Sequence, residues 1–444
     1  MATSSPQTGG TGAWDRLSAL LSRGPGGYAF LSIYTLITSA LLLLNPRTSL
    51  STDIVFILFL LLILAIYRTK VHVGFKIGLG VITLGVVLPY FGTLNPYYID
   101  VATQAGIYAT LAMGLNVVVG FAGLLDLGYV AFYAVGAYLW SVFSTPQVGN
   151  MISGATPIPG VWFYGFILIG LAVGGLFGVL LGLPVLRLRG DYLAIVTLGF
   201  GEVIRVLALN LDKPVNITNG SQGITDISRP PLFFGPALHA IGLPLDDNQL
   251  YQQFFYFMVL LVVLITMLMV SRLKNSRIGR AWTAIREDET AAIAQGIPLV
   301  RMKLMAFAVG ASFAGAMGVI FASKQLFINP PTFDLVRSIS ILSMVILGGL
   351  GNIPGVIFGA ILVTLLNLQI LPRIADILND AKKAGVPIPK SFDPTQYQRL
   401  LFGLLLIVMM IFRPEGILPE DRRRQELHED EGEEPDDEPA AATA

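Results

Sequence analysis

Residues 254–323 read FFYFMVLLVVLITMLMVSRLKNSRIGRAWTAIREDETAAIAQGIPLVRMKLMAFAVGASFAGAMGVIFAS. Two apolar runs, 254–273 and 303–323, enclose a charged stretch from Ser271 to Lys303. Each run matches the roughly 20 apolar residues that carry a helix across a bilayer. The enclosed stretch holds seven basic residues: Arg272, Lys274, Arg277, Arg280, Arg286, Arg301 and Lys303. Lys and Arg concentrate on the cytoplasmic side of membrane proteins, so the pattern predicts two membrane spans joined by a cytoplasmic loop.

The same signal extends outward over the 444 residues, of which 54% are apolar and 13% charged, with a mean hydropathy of +0.69. That makeup excludes an ordinary soluble domain. Twelve apolar segments of roughly span length lie between residues 28 and 412, those at 337–350 and 399–412 being short. The predicted fold is an all-α, polytopic transmembrane helical bundle of ten to twelve spans. Alternating the spans from a cytoplasmic loop places both termini in the cytoplasm and the larger share of the 29 Lys and Arg on the loop's side. A formal net charge of zero argues against a nucleic-acid partner.

Four regions follow from composition. Residues 1–27, rich in Gly, Pro, Ser and Thr, form a cytoplasmic tail without a cleavage-site pattern. Residues 28–94 hold additional N-terminal transmembrane helices with little internal Gly, and residues 95–414 form a core rich in Gly and Ala. Residues 415–444 end in HEDEGEEPDDEPAAATA, an acidic and apolar-poor tail predicted to be disordered. On the outer side, the Pro-rich loop 212–253 is long enough to carry a function, and Ile374–Ala384 has the pattern of a helix lying on the membrane surface.

Several chemistries are excluded. There is no cysteine, so disulfides and thiolate sites are absent, and His72, His239 and His428 show no ligand spacing. No G-x-x-x-x-G-K-[ST] occurs, so any ATP work belongs to another subunit. No nucleophile or acid–base pair stands out, and the chain is read as a non-enzyme with no cofactor of its own.

Small residues recur at four-residue spacing as Gly170, Gly174, Gly178 and Gly182, and as Gly310, Ala314 and Gly318. Such spacing lets helix backbones approach closely in lipid and predicts packing faces. Two Gly-rich breaks, Gly120–Gly128 (with Gly123) and Gly348–Gly355 (with Gly349 and Gly351), fit two readings. They are non-helical backbone lining a translocation pathway, or tight turns between antiparallel helices. Ionisable residues within spans are functional candidates by default, and Asp126, Glu202 and Arg205 qualify. Glu202 and Arg205, three apart on one helix, also suit a simple ion pair, and Asp126 also suits a helix cap.

In the loop, Gly279–Gln295 reads as one helix. Trp282, Ile285 and Ala292 offer a small apolar face between Arg280, Arg286, Glu287, Asp288 and Glu289, and Gly296-Ile-Pro298 ends the helix. This helix suits a groove in another protein, or it lies on the lipid headgroups.

The run Arg286-Glu-Asp-Glu-Thr-Ala-Ala-Ile-Ala-Gln-Gly-Ile-Pro298 resembles the ATPase-coupling motif of ABC importer permeases, in the form of the branched-chain amino acid permease family. Gly114–Gly128 with Gly136-Ala-Tyr138, Arg189–Arg205, Asn219–Ile224 and Leu347–Asn352 are similar to that family too, covering about residues 95–420. The spans at 28–91 resemble those of the larger of its two permeases and favour it over the related urea permeases. One departure is Thr290, where importer permeases have an acidic residue six before the glycine, while Glu289 lies one position earlier.

The resemblance implies a permease subunit for a branched-chain or other neutral amino acid, working with a second homologous permease, two cytoplasmic ATPase subunits that bind ATP and Mg, and an extracytoplasmic solute-binding protein. It implies ATPase coupling through Arg280, Trp282, Ile285, Glu287, Glu289, Ala291, Ala292 and Gly296, and a bacterial-type inner membrane as its place. The competing reading is an ion-gradient-driven secondary transporter, for which Asp126 and Glu202 would be the coupling carboxylates.

Overall fold

The computed structural model describes residues 25–69, 71–185, 191–232 and 246–383, with 400, 403–404, 407–408, 411–412 and 416–418 beyond them. Most of the tail 1–27, half of the 399–412 segment and nearly all of the acidic tail 415–444 lie outside the described residues. Among the described residues the regular structure is helical, apart from one isolated antiparallel bridge between Ile224 and Ile328. Ten helices among the described residues are long and apolar enough to cross a membrane, and Val130–Ser144 is a shorter apolar helix. This fits the all-α reading of ten to twelve spans.

Packing divides the chain into two units, one of Met1–Ala102 with Leu243–Phe257 and one of Thr103–Gly242 with Met258–Ala444. The first holds α1 (Pro25–Leu44), α2 (Leu50–Arg68), α3 (Val73–Ile82), α4 (Leu88–Leu94) and the start of α5 (Pro96–Asn116). Its core gathers Leu31, Leu62 and Leu79. Ser49 caps α2 by accepting the Thr52 amide, and His72 caps α3 by accepting the Gly74 amide at Nδ1. Between α3 and α4 the helix widens into a π-helical turn, Thr83–Val87, next to Pro89, which has no N–H to donate. The Leu84 and Pro89 carbonyls there accept from Tyr256 Oη at 2.7 Å and Gln253 Nε2 at 2.8 Å.

The second unit contains α6 (Val130–Ser144), α7 (Phe163–Val185), α8 (Asp191–Asn210), most of α9 (Asp247–Lys274), α10 (Arg277–Glu287), α11 (Glu289–Ala294), α12 (Leu299–Gln325), α13 (Leu335–Gly348), α14 (Ile353–Leu365) and α15 (Leu371–Lys383). Its spine is the pair α7 and α12, with α6 against both. A Cβ added at Gly174 would lie 2.5 Å from the Ala311 carbonyl oxygen, and one at Gly178 2.6 Å from that of Phe307. Gly315 faces the Gly170 backbone, Gly136 faces Gly315, and Gly318 faces Tyr133 in the same manner. Lipid gives apolar helices no hydrophobic reason to associate, so backbone proximity and dispersion must hold them together, and only glycine permits it here. The small-residue stripes are thus packing faces. α15 carries an exposed Lys383–Asp380 pair at 3.1 Å, on the amphipathic segment that the sequence predicts at Ile374–Ala384.

Candidate functional site

The loop between α9 and α12 differs from the single helix its sequence suggests: it forms two, because Asp288 breaks it with φ −150° and ψ 113°. Free of the helix, the Asp288 carboxylate accepts the amides of Thr290 at 2.6 Å and Ala291 at 3.0 Å and so starts α11. The bonds from Ala291 and Thr290 hold its carboxyl below the usual carboxylate range. Ser276 Oγ caps α10 by accepting from Ile278 and Gly279. At the far end Gly296 takes φ +80°, its amide reaching the Ile293 carbonyl at 2.9 Å while Ile297 reaches Ala292 at 3.0 Å, a Schellman termination.

The apolar face is turned inward, and this corrects the expectation that Trp282, Ile285 and Ala292 present it to another protein. All three are buried within this chain, and Trp282 Nε1 donates to the Met302 carbonyl at 2.7 Å. Two short amphipathic helices lying beside α12 bury their apolar stripes on the nearest surface, which is their own. Lys303, buried at the start of α12, pairs with Glu289 and ties α11 down. Arg280, Glu287, Ala291 and Gly296 face outward, together with Asp288, Thr290 and a 52% exposed Ile293.

The loop meets one Gly-rich break, and the end of α9 that leads into it meets the other. Arg286 Nη1 donates to the Gly120 carbonyl at 2.6 Å, and its stem lies where a side chain on Gly123 would stand, 2.8 Å from that added Cβ. Gly123 is also at φ +69°, a conformation that favours glycine. Lys274 Nζ donates to the Gly351 carbonyl at 2.9 Å and sits 5.7 Å from the centre of the Phe121 ring. Gly351 N–H donates to Asn116 Oδ1 at 2.9 Å, which ties the two breaks together. A Cβ on Gly120 would lie 2.8 Å from the Gly351 nitrogen. Gly348 packs on the Gly355 backbone, and Gly349 takes φ +114°. Asn116 joins the site without having been singled out, since its partner Gly351 is 235 residues away, and Lys274 and Lys303, named only among the loop's cations, take specific partners in Gly351 and Glu289.

The remaining pathway candidates take no part in these bonds. Asp126 is fully buried, its Oδ1 accepting the Gly128 amide at 2.8 Å, while the next amide, Leu127, donates to Thr197 Oγ1 on α8 at 3.0 Å. Glu202 and Arg205 pair on α8, Arg205 Nε reaching both carboxylate oxygens at 3.1 and 3.0 Å. Asn219, in the loop after α8, adopts φ +59° and donates from Nδ2 to the Gly223 carbonyl at 2.8 Å, just before the Ile224–Ile328 bridge. Among the described residues no group of three or more His, Asp or Glu could hold a metal.

Residues 97–410 match the family described as branched-chain amino acid transport system / permease component. The high-affinity branched-chain amino acid transport system permease protein LivM of Escherichia coli strain K12 is 38% identical over 341 residues, 74% of this chain and 72% of that protein. LivM of Salmonella typhimurium is 37% identical over the same shares. The permease protein LivH of the same-named system in Escherichia coli strain K12 is 24% identical over 316 residues, 71% of this chain and 92% of that protein. No solved structure matches the chain. With ten helices of spanning length and this similarity over most of its core, the chain belongs to the branched-chain amino acid transport permease family, as a multi-pass membrane protein of the LivM type.

Proposed function

We propose that this chain is the LivM-type permease subunit of an ATP-driven importer for branched-chain or other neutral amino acids in an inner membrane, with both termini cytoplasmic. It works with a second, related permease, two cytoplasmic ATPases that bind ATP and Mg, and an extracytoplasmic solute-binding protein that does much of the selecting. The chain holds no cofactor of its own.

One observation carries this reading. The loop 275–298 is fastened to the spans on one face and open on the other. The inner face, through Trp282, Arg286 and the Glu289–Lys303 pair, grips α12 and the break at Gly120, while Lys274 at the end of α9 holds the break at Gly351. The outer face, through Ala291, Ile293 and Gly296, is left for an ATPase groove. When ATP binding draws the ATPases together, a loop held this way shifts the breaks at Gly120 and Gly351 with it and alternates the opening of the spans. The ion-gradient alternative is disfavoured because Glu202 is already paired with Arg205.

The test uses the outward face. Ala291→Glu and Ile293→Glu should leave insertion intact while abolishing co-purification with the ATPase pair and ATP-dependent amino acid uptake. Ala292→Glu places a charge in the buried face and should impair folding instead. Full uptake by the two outward variants, or solute uptake along an ion gradient by the isolated chain, refutes the importer reading.

A further inference from the structure

α8 has one face fixed and one face open. Thr197, Leu193 and Ala194 are buried, and a Cβ on Gly201 would lie 3.1 Å from the Gly128 Cα, so that side is anchored against the break leading into α6. The opposite side forms a continuous helical stripe of Ile195, Gly199, Glu202, Val203 and Val206. Ile195, Val203 and Val206 are exposed, and the Glu202 side chain keeps 47% of its surface open. Arg205, at the margin of the stripe, keeps 27%.

Other exposed spans differ. α7 presents Leu168, Leu176 and Leu180, and α9 presents Leu261, Leu264 and Leu268, faces that hydrocarbon covers at no cost. Glu202 lies about 16 Å along α8 and about 12 Å from its end at 1.5 Å per residue, well within a core about 30 Å thick. A charged pair at that depth faces protein or enclosed water rather than lipid tails. Gly199, in the middle of the stripe, has nothing within 4 Å of where its Cβ would be. Gly170, Gly174 and Gly178 of α7 and Gly310, Gly315 and Gly318 of α12 meet a neighbouring helix in that position, so Gly199 leaves room for a helix that the described residues do not supply.

We propose that the Ile195–Val206 face of α8 is the seat of the second permease subunit, whose apposed helix closes on Gly199 and supplies polar groups to the Glu202–Arg205 pair. This rests on the importer reading above and identifies the surface through which that pair of permeases assembles. The occupant is a related permease because the chain aligns with relatives of two kinds, LivM and LivH, which bear the name of one transport system, and related subunits pair through matching surfaces.

The sequence offers no cysteine for thiol crosslinking, so the probe is a site-specific photo-crosslinker placed in the intact assembly. A benzophenone side chain at Val203, 54% exposed, is compared with one at Leu176 on α7, 57% exposed. Both are placed in the complex of this chain with the candidate second permease and ATPase pair, in native membranes. The expected result is a light-dependent adduct between this chain and the second permease from Val203, and none above the dark control from Leu176. A complex that retains its ATPases but gives no permease adduct from Val203, or gives equal adducts from both positions, overturns this inference alone. An adduct with a second copy of this chain does the same. Failure of any complex to form overturns the importer reading and this one together. In parallel, Gly199→Ala should retain the second permease and Gly199→Leu should lose most of it with insertion unchanged; retention by both also overturns the proposal.

Discussion

The α7–α12 seam and the 275–298 loop are both held against the rest of the second unit, but by different means. In the seam, the glycines of α7 lie on the α12 backbone at Phe307, Ala311 and Gly315, so the contact has no slack and no removable part. In the loop, the hold is local: one tryptophan with its hydrogen bond, one arginine on a carbonyl, one ion pair and two caps. The seam is therefore a scaffold that permits a single spacing. The loop is a fastening whose parts can be released singly, as a segment pushed by a partner must be.

The seam gives the largest effect. Gly315→Leu drives a branched side chain into the Gly170 backbone, which cannot rotate away. Overpacking in cores that can adjust costs about 1–3 kcal/mol, so this variant should exceed about 3 kcal/mol and fail to accumulate as folded protein in the membrane. Detergent-solubilised yield with thermal unfolding measures it, and a normal yield would mean the seam has slack after all. Trp282→Ala is next. Loss of a buried tryptophan costs about 3–5 kcal/mol, but here the cost falls on the loop, so the spans should still insert while trypsin gains access at Arg277, Arg280 and Arg286. Equal protease resistance of variant and parent would contradict the anchoring role.

Glu289→Gln follows. It leaves the buried Lys303 ammonium without its acidic partner, a change worth about 3–5 kcal/mol in a fully buried pair. Glu289 retains a quarter of its side-chain surface, and solvent screening lowers that figure. Lys303→Met in the same chain removes the stranded charge and should restore loop protection, whereas an additive double variant would deny the coupling.

The seam was legible in the sequence because four-residue spacing of small residues has one structural meaning in a membrane helix. The spans were legible because runs of about 20 apolar residues have few alternatives. The loop was legible as a loop, and its glycine end and basic flank were read from Gly296 and the seven cations. Its inner face was not. The Trp282–Ile285 stripe gives the same periodic signal whether it packs on its own α12 or in another protein's groove, and periodicity does not say who covers it. The break at Asp288 was missed although Asp favours caps over helix interiors, because Glu287-Asp-Glu289 also continues the charged face of a single helix. Asn116 and Gly351 meet across 235 residues, a pairing that local pattern does not encode.

Asp288 gives the smallest effect and sharpens the comparison most, because the seam has no titratable counterpart. Its carboxyl is held below the ordinary value of about 3.9 by the Ala291 and Thr290 amides. A group depressed on folding contributes its stabilisation fully above the unfolded pKa and loses it as pH falls through the folded one. The cap should therefore be constant from neutral pH down to the ordinary carboxylate range and weaken only below it. Hydrogen exchange at the Thr290 and Ala291 amides reads this directly. Asp288→Asn keeps an accepting oxygen at the cap and should show slow exchange without the acid-side loss, while Asp288→Ala should exchange faster at every pH. Protection that falls between pH 8 and 5 in the parent chain would mean that a different group holds the two helices of the loop in register.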